Sequence, residues 1–377
     1  MIIFRYLAKE VYSTMLASTG VLLLLLISNQ LVHYLTQAAA GVLPLRTVMQ
    51  MMSLQIPLLL GILLPLGLYL GILMAYGRLY VDREMTVLSA CGMSKAQLIT
   101  ITLFLSLIIT LLVAILMLWF LPKTETYKRQ ALIDAAASSP LERIAPGQFT
   151  SLPSKNLAFY AEGLSRDHQR LHNIFVVQQG QKANKQGRLP WDIVVADEGQ
   201  QITDPKTHDK YLLFQNGYRY SGVPGTADFQ ISQYASYGVR IEQSIIPVDK
   251  RVETYPTPAL IALRHTSPKF EAELQWRIAL PISTLILAII AIALSKVDPR
   301  QGRFAQLFPA FMLYIIYVNL LFVGRAWLQK SKIPLEWGLW WVHAIMLIIA
   351  VLLILRFIGF TRTAAVLGRF FRVSKKA

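Results

Sequence analysis

Six stretches of this chain are long and apolar enough to cross a bilayer, and no other feature limits its fold so strongly. A membrane helix needs about 20 apolar residues. Residues 11–35, 47–77, 98–121, 278–295, 304–324 and 337–355 each approach or exceed that length. The second stretch is longer than a straight crossing requires, so tilt or a kink is expected, with Pro57 and Pro65 as kink points. The first run is too long for a cleavable signal peptide and lacks a small-residue cleavage site with polar sequence beyond it. The fold class expected is a membrane α-helical bundle of six transmembrane helices plus an all-β domain, a sandwich or jellyroll, outside the membrane.

Charge alone would mislead here. A net charge of +16 looks like a nucleic-acid binder, yet only 15% of the 377 residues are charged, against about 25% in soluble proteins. The excess is unevenly placed. Residues 122–268 hold 17 basic and 14 acidic side chains, whereas the rest of the chain holds 20 and 7. With the N-terminus inside, the cytoplasmic flanks carry fourteen Lys or Arg, from Arg5 and Lys9 to Lys375 and Lys376. The short outer loops carry four, namely Arg46, Arg325, Lys330 and Lys332. By the positive-inside rule both termini are cytoplasmic and the 122–268 segment lies on the outer side. Topology therefore accounts for the charge, and no nucleic acid is expected.

Within 122–268, short runs of β-branched and aromatic residues at 156–161, 173–178, 191–196, 210–214 and 226–234 read as strands. Turn signals stand at Gly180, Asn184-Lys185, Gly199, Asn216-Gly217, Pro224-Gly225 and Gly238. Such spacing predicts a sandwich or jellyroll. Residues 127–137 are expected to extend the third helix, and 259–264 to form a short connecting helix. The domains expected are 1–121 with spans one to three, 122–268, 269–358 with spans four to six, and a basic tail at 359–377.

The cytoplasmic loop 78–95 is the most informative short segment. Read as a helix over about 79–92, it places Val81, Met85 and Leu88 on one apolar stripe with Glu84 at its edge. That pattern fits a helix docking into a partner's groove, and it also fits an interfacial helix lying on lipid. The GxxxG spacing of Gly67 and Gly71 permits close helix pairing, although a Gly-rich apolar segment produces it by chance too. Polar residues at the outer ends of spans are candidate ligand contacts: Asn29, Gln30, His33, Arg46, Arg277 and Arg325. For Arg46 and Arg325 the alternative is snorkelling to the headgroups. His343 is expected to satisfy a backbone group rather than to bind metal. Glu271 and Glu273 are expected to partner Lys269 and Arg277.

Enzyme signatures are absent from the sequence: no Walker A motif, no His-Glu-x-x-His and no Gly-x-Ser-x-Gly. His168 and His172 have ligand-like spacing without further ligands nearby, so no metal site is expected. The single Cys91 excludes an internal disulfide.

Several segments in order resemble one family. They are Met1-Ile2-Ile3-Phe4-Arg5-Tyr6-Leu7, Leu79-Tyr80 to Glu84, Ala90-Cys91-Gly92-Met93-Ser94-Lys95-Ala96, Gly147-Gln148-Phe149, Glu273-Leu274-Gln275-Trp276-Arg277-Ile278 and Asp298-Pro299-Arg300-Gln301-Gly302-Arg303. The chain resembles the LptF/LptG lipopolysaccharide export permeases over residues 1 to about 360, and its start and Ala90-Cys91-Gly92 look like the LptF branch. The resemblance implies a bacterial inner-membrane half-transporter with no catalytic residues and no cofactor of its own. Its partners would be an LptG-like permease in a heterodimer, an LptB-like ATPase dimer that binds ATP and Mg, and an LptC-like periplasmic bridge. Glu84 would pair with a basic residue of the ATPase, within a coupling helix that includes Val81, Met85 and Leu88. Spans one, two and five would line half of a cavity taking lipopolysaccharide from the outer leaflet of the inner membrane and passing it to the jellyroll. Family members can carry basic residues where Gln30 and His33 stand here, so Arg46, Arg325, Lys330 or Lys332 would compensate at the lipid phosphates. Two other classes stay open: a mechanotransmission scaffold that carries no lipid, and a membrane-bound periplasmic enzyme.

Overall fold

The computed structural model describes residues 2–39, 45–137, 147–152, 157–165, 170–180, 189–203, 210–223, 225–226, 229–240, 251–297 and 306–359. The run Asp298–Arg303, His168, the Asn184-Lys185 turn and the tail from residue 360 lie outside these residues. The chain divides into two compact units, 1–29 with 53–128 and 249–377, and 30–52 with 129–248.

Among the described residues six helices are long and apolar enough to span a membrane. The elements are α1 (Ile2–Ala39), α2 (Leu45–Val81), α3 (Glu84–Ala90), α4 (Lys95–Ile115) and, after a π-helical stretch at Leu116–Phe120, α5 (Leu121–Ala137). They continue as α6 (Thr257–Leu263), α7 (Pro268–Leu294), α8 (Leu307–Gln329) and α9 (Trp340–Ile358). The third span is thus continued by α5, and α6 is the short connecting helix. Helix α2 runs through both Pro57 and Pro65. Each proline removes one ladder hydrogen bond, a loss that packing against neighbouring helices can absorb.

The centre of the helical unit is α7, which packs against α4, α8 and α9. Its buried residues include the small side chains Ala279, Ser283, Thr284, Ala288 and Ala291 among larger apolar ones. Without a hydrophobic drive inside lipid, helices associate through close packing, which small side chains permit. Helix α1 buries only one stripe, Leu7, Val11, Met15 and Thr19, at steps of four residues. That stripe sits in a notch of α2. A Cβ at Gly71 would lie 2.9 Å from Met15 Cβ and 3.0 Å from both Met15 N and Val11 O. A Cβ at Gly67 would overlap the Thr19 hydroxyl. The GxxxG pair therefore has a definite use within this chain, the seating of the first span on the second.

In the other unit, β1 (Thr150–Leu152), β2 (Leu157–Leu164), β3 (Arg170–Gln179), β4 (Trp191–Thr203), β5 (Lys210–Gly222) and β6 (Gln230–Arg240) form one antiparallel sheet in sequence order. All five expected strands are present, mostly longer than expected, and β1 is an addition. Gly199, Asn216-Gly217 and Gly238, expected in turns, lie inside strands. The reason is a crease. Glu162, Asn173, Asp197, Asn216 and Ala235 line up across β2 to β6, and each misses its ladder partner while register is kept on both sides. Asn173 and Asn216 have φ of 49° and 50°, a left-handed backbone that Asn tolerates better than most residues. The buried side of each strand changes parity at this line: Ala196 then Gly199 in β4, Phe214 then Gly217 in β5. One apolar cluster consequently draws on both halves, from Phe159, Ile174 and Val194 to Leu171 and Phe214. At Gly217 a Cβ would strike Val195 O and the Tyr234 ring, so glycine lets the strands close here. The all-β domain expected is thus a long-stranded open sheet folded along a transverse crease.

Candidate functional site

Polar chemistry in the helical unit gathers at its two ends. At the first end α2 stops at Val81, and Asp82-Arg83 turn the chain into α3. Arg83 has φ 60°, so the helix expected across 79–92 is broken there. Helical spacing does not carry across a left-handed residue, and the stripe drawn through Val81, Met85 and Leu88 needs correction. Val81 belongs to α2; Met85 is buried and Leu88 packs partly buried against this chain's own core. The apolar face of α3 therefore holds the helix to the bundle. Its outward face is Thr86, Val87, Ser89 and Ala90, continuing into Cys91 and Gly92. A seven-residue helix is unstable alone, so its place depends on these contacts.

Glu84 opens α3, and its Oε2 accepts a hydrogen bond from the Tyr6 hydroxyl of α1. One turn further along α1, Glu10 binds Arg78 of α2 at 2.7 Å. After the turn at Gly92, Ser94 caps α4 in a reciprocal capping box with Gln97. Lys95 then donates to the last carbonyls of α9, Phe357 O at 2.8 Å and Ile358 O at 3.2 Å, where a cation suits the helix C-terminus. Tyr6, Glu10 and Lys95 were missed as contributors from sequence; the α1 pair has i, i+4 spacing, the one signal that a shared face exists.

At the opposite end Arg277 is fully buried on α7. Its Nε donates to Glu273 at 2.9 Å, Nη1 to Tyr255 O and Thr257 Oγ1, and Nη2 to Glu253 O at 2.9 Å. Glu273 also binds Arg325 of α8 at 2.7 Å, and that guanidinium lies 4.9 Å from the Trp276 ring. Glu271 meanwhile accepts from Gln275, not from Lys269. Gln275 further accepts from Leu339 N at 2.8 Å and donates to Leu335 O at 3.0 Å. The Glu273 to Arg277 run is therefore a clamp that pins the 253–257 segment and the 335–339 loop to α7. Below it an apolar groove runs between α2, α7 and α8, lined by Pro65, Trp276, Leu280, Tyr314, Tyr317 and Phe322.

Of the expected lipid contacts, Arg325 is paired with Glu273 in this clamp through one nitrogen of its guanidinium. Lys330 and Lys332 are exposed beside the turn that ends α8. Gln30 and His33 belong to the other unit, where the exposed His33 meets Gln37 at 2.9 Å. Arg46 lies in the first turn of α2, and its side chain is outside the described residues. His343 bonds the Tyr317 hydroxyl at 2.7 Å instead of a backbone group. His172 lies 4.0 Å from Glu198. Among the described residues, no three His, Cys, Asp or Glu side chains converge as a metal site.

Comparison with known proteins places this architecture. A sequence model described as "Lipopolysaccharide export system permease LptF/LptG" matches residues 5–356. The chain is 29% identical over 353 residues, 94% of each chain, to "Lipopolysaccharide export system permease protein LptF" of Escherichia coli K12. The same values hold for the proteins of that name from Escherichia coli O157:H7 and Shigella flexneri. With the match covering both the six spans and the creased sheet, this chain belongs to the LptF/LptG family of lipopolysaccharide export permeases.

Proposed function

We propose that this chain is a permease subunit of an ATP-driven exporter that extracts lipopolysaccharide from the outer leaflet of the bacterial inner membrane. The observation that carries the reading is the family match from residue 5 to residue 356, at 94% coverage of its relatives. ATP hydrolysis belongs to a separate LptB-like ATPase dimer, which holds the ATP and Mg, and this chain contributes no catalytic residue or cofactor. The other half of the membrane complex is an LptG-like permease. The creased sheet is periplasmic, receives the lipid, and hands it to an LptC-like bridge. Both termini are cytoplasmic.

In this reading α3 is the docking element for the ATPase. It offers a partner Glu84 and the outward face from Thr86 to Gly92, while Met85 and Leu88 transmit its movement to the core. Spans one, two and five bound the lipid cavity. Lys330 and Lys332 are the exposed cations best suited to lipid phosphates on this unit, with Gln30, His33 and Arg46 at the outer ends of spans one and two.

The test is purification from the native membrane in mild detergent, followed by lipid release from proteoliposomes. An LptG-like chain, an ATPase and lipopolysaccharide should copurify, and Glu84→Ala should lower lipid release while leaving the permease pair intact. Unchanged copurification together with wild-type release by Glu84→Ala would sink the docking assignment. An ATPase that copurifies and hydrolyses ATP without lipid moving would replace the transporter by a scaffold.

A further inference from the structure

We infer that Tyr6 is a positioning residue for Glu84, and that α1 and the docking helix α3 move as one piece through the Tyr6–Glu84 and Glu10–Arg78 pairs. The inference rests on the proposed function, since it concerns the same docking element.

The geometry is a two-point brace. Tyr6 and Glu10 are four residues apart and share a face of α1. One binds the first residue of α3, the other binds Arg78 in the last turn of α2. Between those two anchor points lies the Asp82-Arg83 turn, whose Arg83 backbone is left-handed at φ 60°. A non-glycine residue in that region is strained and stays there only when its surroundings hold it. No side chain caps α3 at Arg83. The brace supplies what the missing cap does not, tying the start of α3 to a helix whose Leu7 and Val11 are fully buried.

Two consequences follow for function. Tyr6 occupies Glu84 Oε2 and leaves Oε1 for an incoming cation, which fixes the direction in which the carboxylate is offered. A push on α3 is delivered directly to the first span, which seats on α2 at Gly67 and Gly71, instead of being absorbed by the turn.

The experiment uses the full chain with its partner permease and ATPase in proteoliposomes, and reads lipid released per ATP hydrolysed. Tyr6→Phe keeps the ring and removes only the hydroxyl; Glu84→Ala and the double variant complete a cycle. The expected result is a loss of about threefold or more for Tyr6→Phe, with no further loss when Glu84→Ala is already present. A second readout needs no ATPase: a spin label on Cys91, the chain's single and exposed cysteine at the end of α3, should become more mobile in Tyr6→Phe. Wild-type release and unchanged label mobility in Tyr6→Phe, beside a defective Glu84→Ala, would overturn the inference alone. An equal loss by Tyr6→Phe in both backgrounds would also overturn it, because Tyr6 would then act independently of Glu84. A wild-type Glu84→Ala would overturn the docking assignment and this inference with it.

Discussion

Replacing Gly71 by Ala should unseat the first span, and the size of the effect can be worked from what its Cβ would meet. All three obstacles, Met15 Cβ, Met15 N and Val11 O, lie at 2.9 to 3.0 Å, and none is the movable end of a side chain. Ordinary carbon contacts begin about half an ångström further out. The helices must therefore separate over several residues, a forced overpacking that costs about 1–3 kcal/mol. Gly67→Ala meets a different obstacle. Its Cβ overlaps the Thr19 hydroxyl, an oxygen that is buried with no hydrogen-bond partner. Rotating Thr19 relieves that overlap without breaking a bond, so Gly67→Ala should cost less than Gly71→Ala, and Thr19→Ala should rescue it. Met15→Ala should not rescue Gly71→Ala, because the backbone atoms and Cβ remain. Reversible unfolding of the purified chain in mixed micelles, titrated with a denaturing detergent, measures each cost. A neutral Gly71→Ala, or its full rescue by Met15→Ala, would refute the notch.

Further expectations rest on the clamp and the crease. Arg277→Met removes four hydrogen bonds and leaves Glu273 with Arg325 alone; breaking a buried pair in this way costs about 3–5 kcal/mol. Trypsin should then cut faster at Arg251 and Arg264, and unchanged cleavage would show that the clamp does not hold that segment. Arg277→Lys should fail to restore protection, since an ammonium cannot reproduce the planar guanidinium's set of bonds. At the crease, Asn216→Gly should be neutral, whereas Asn216→Val should destabilise the sheet by about 1–2 kcal/mol through its left-handed backbone. Hydrogen exchange of β5 amides in the intact chain reads this, and equal protection in both variants would argue against the crease.

Much of this architecture is legible in the chain itself. Six spans follow from run length because a bilayer demands about twenty apolar residues and leaves no other way to satisfy the backbone. The α5 extension, the 257–263 helix and the five strands follow from local composition and punctuation. Punctuation misleads where it is ambiguous: Asn216-Gly217 reads as a turn, and only pairing on both neighbours reveals a crease. Glu84 is visible as an acid beside an apolar stripe. Its tie to Tyr6 is not, since 78 residues separate them.

What sequence alone determined, then, is the six spans, five of the strands, their order and the distribution of charge, all of which depend on contacts with solvent or lipid at short range. What tertiary structure decided is the use of each polar group. Periodicity marks Met85 and Leu88 as apolar without saying what they face, and they face this chain's own core. Arg325 reads as a free rim cation until Glu273, 52 residues away, is found on it. Glycines 67 and 71 offer a notch without naming its occupant, which is the first span. In each case the partner comes from a distant part of the chain, and pairing in a low-dielectric bundle is set by which helices pack, information that no local pattern carries.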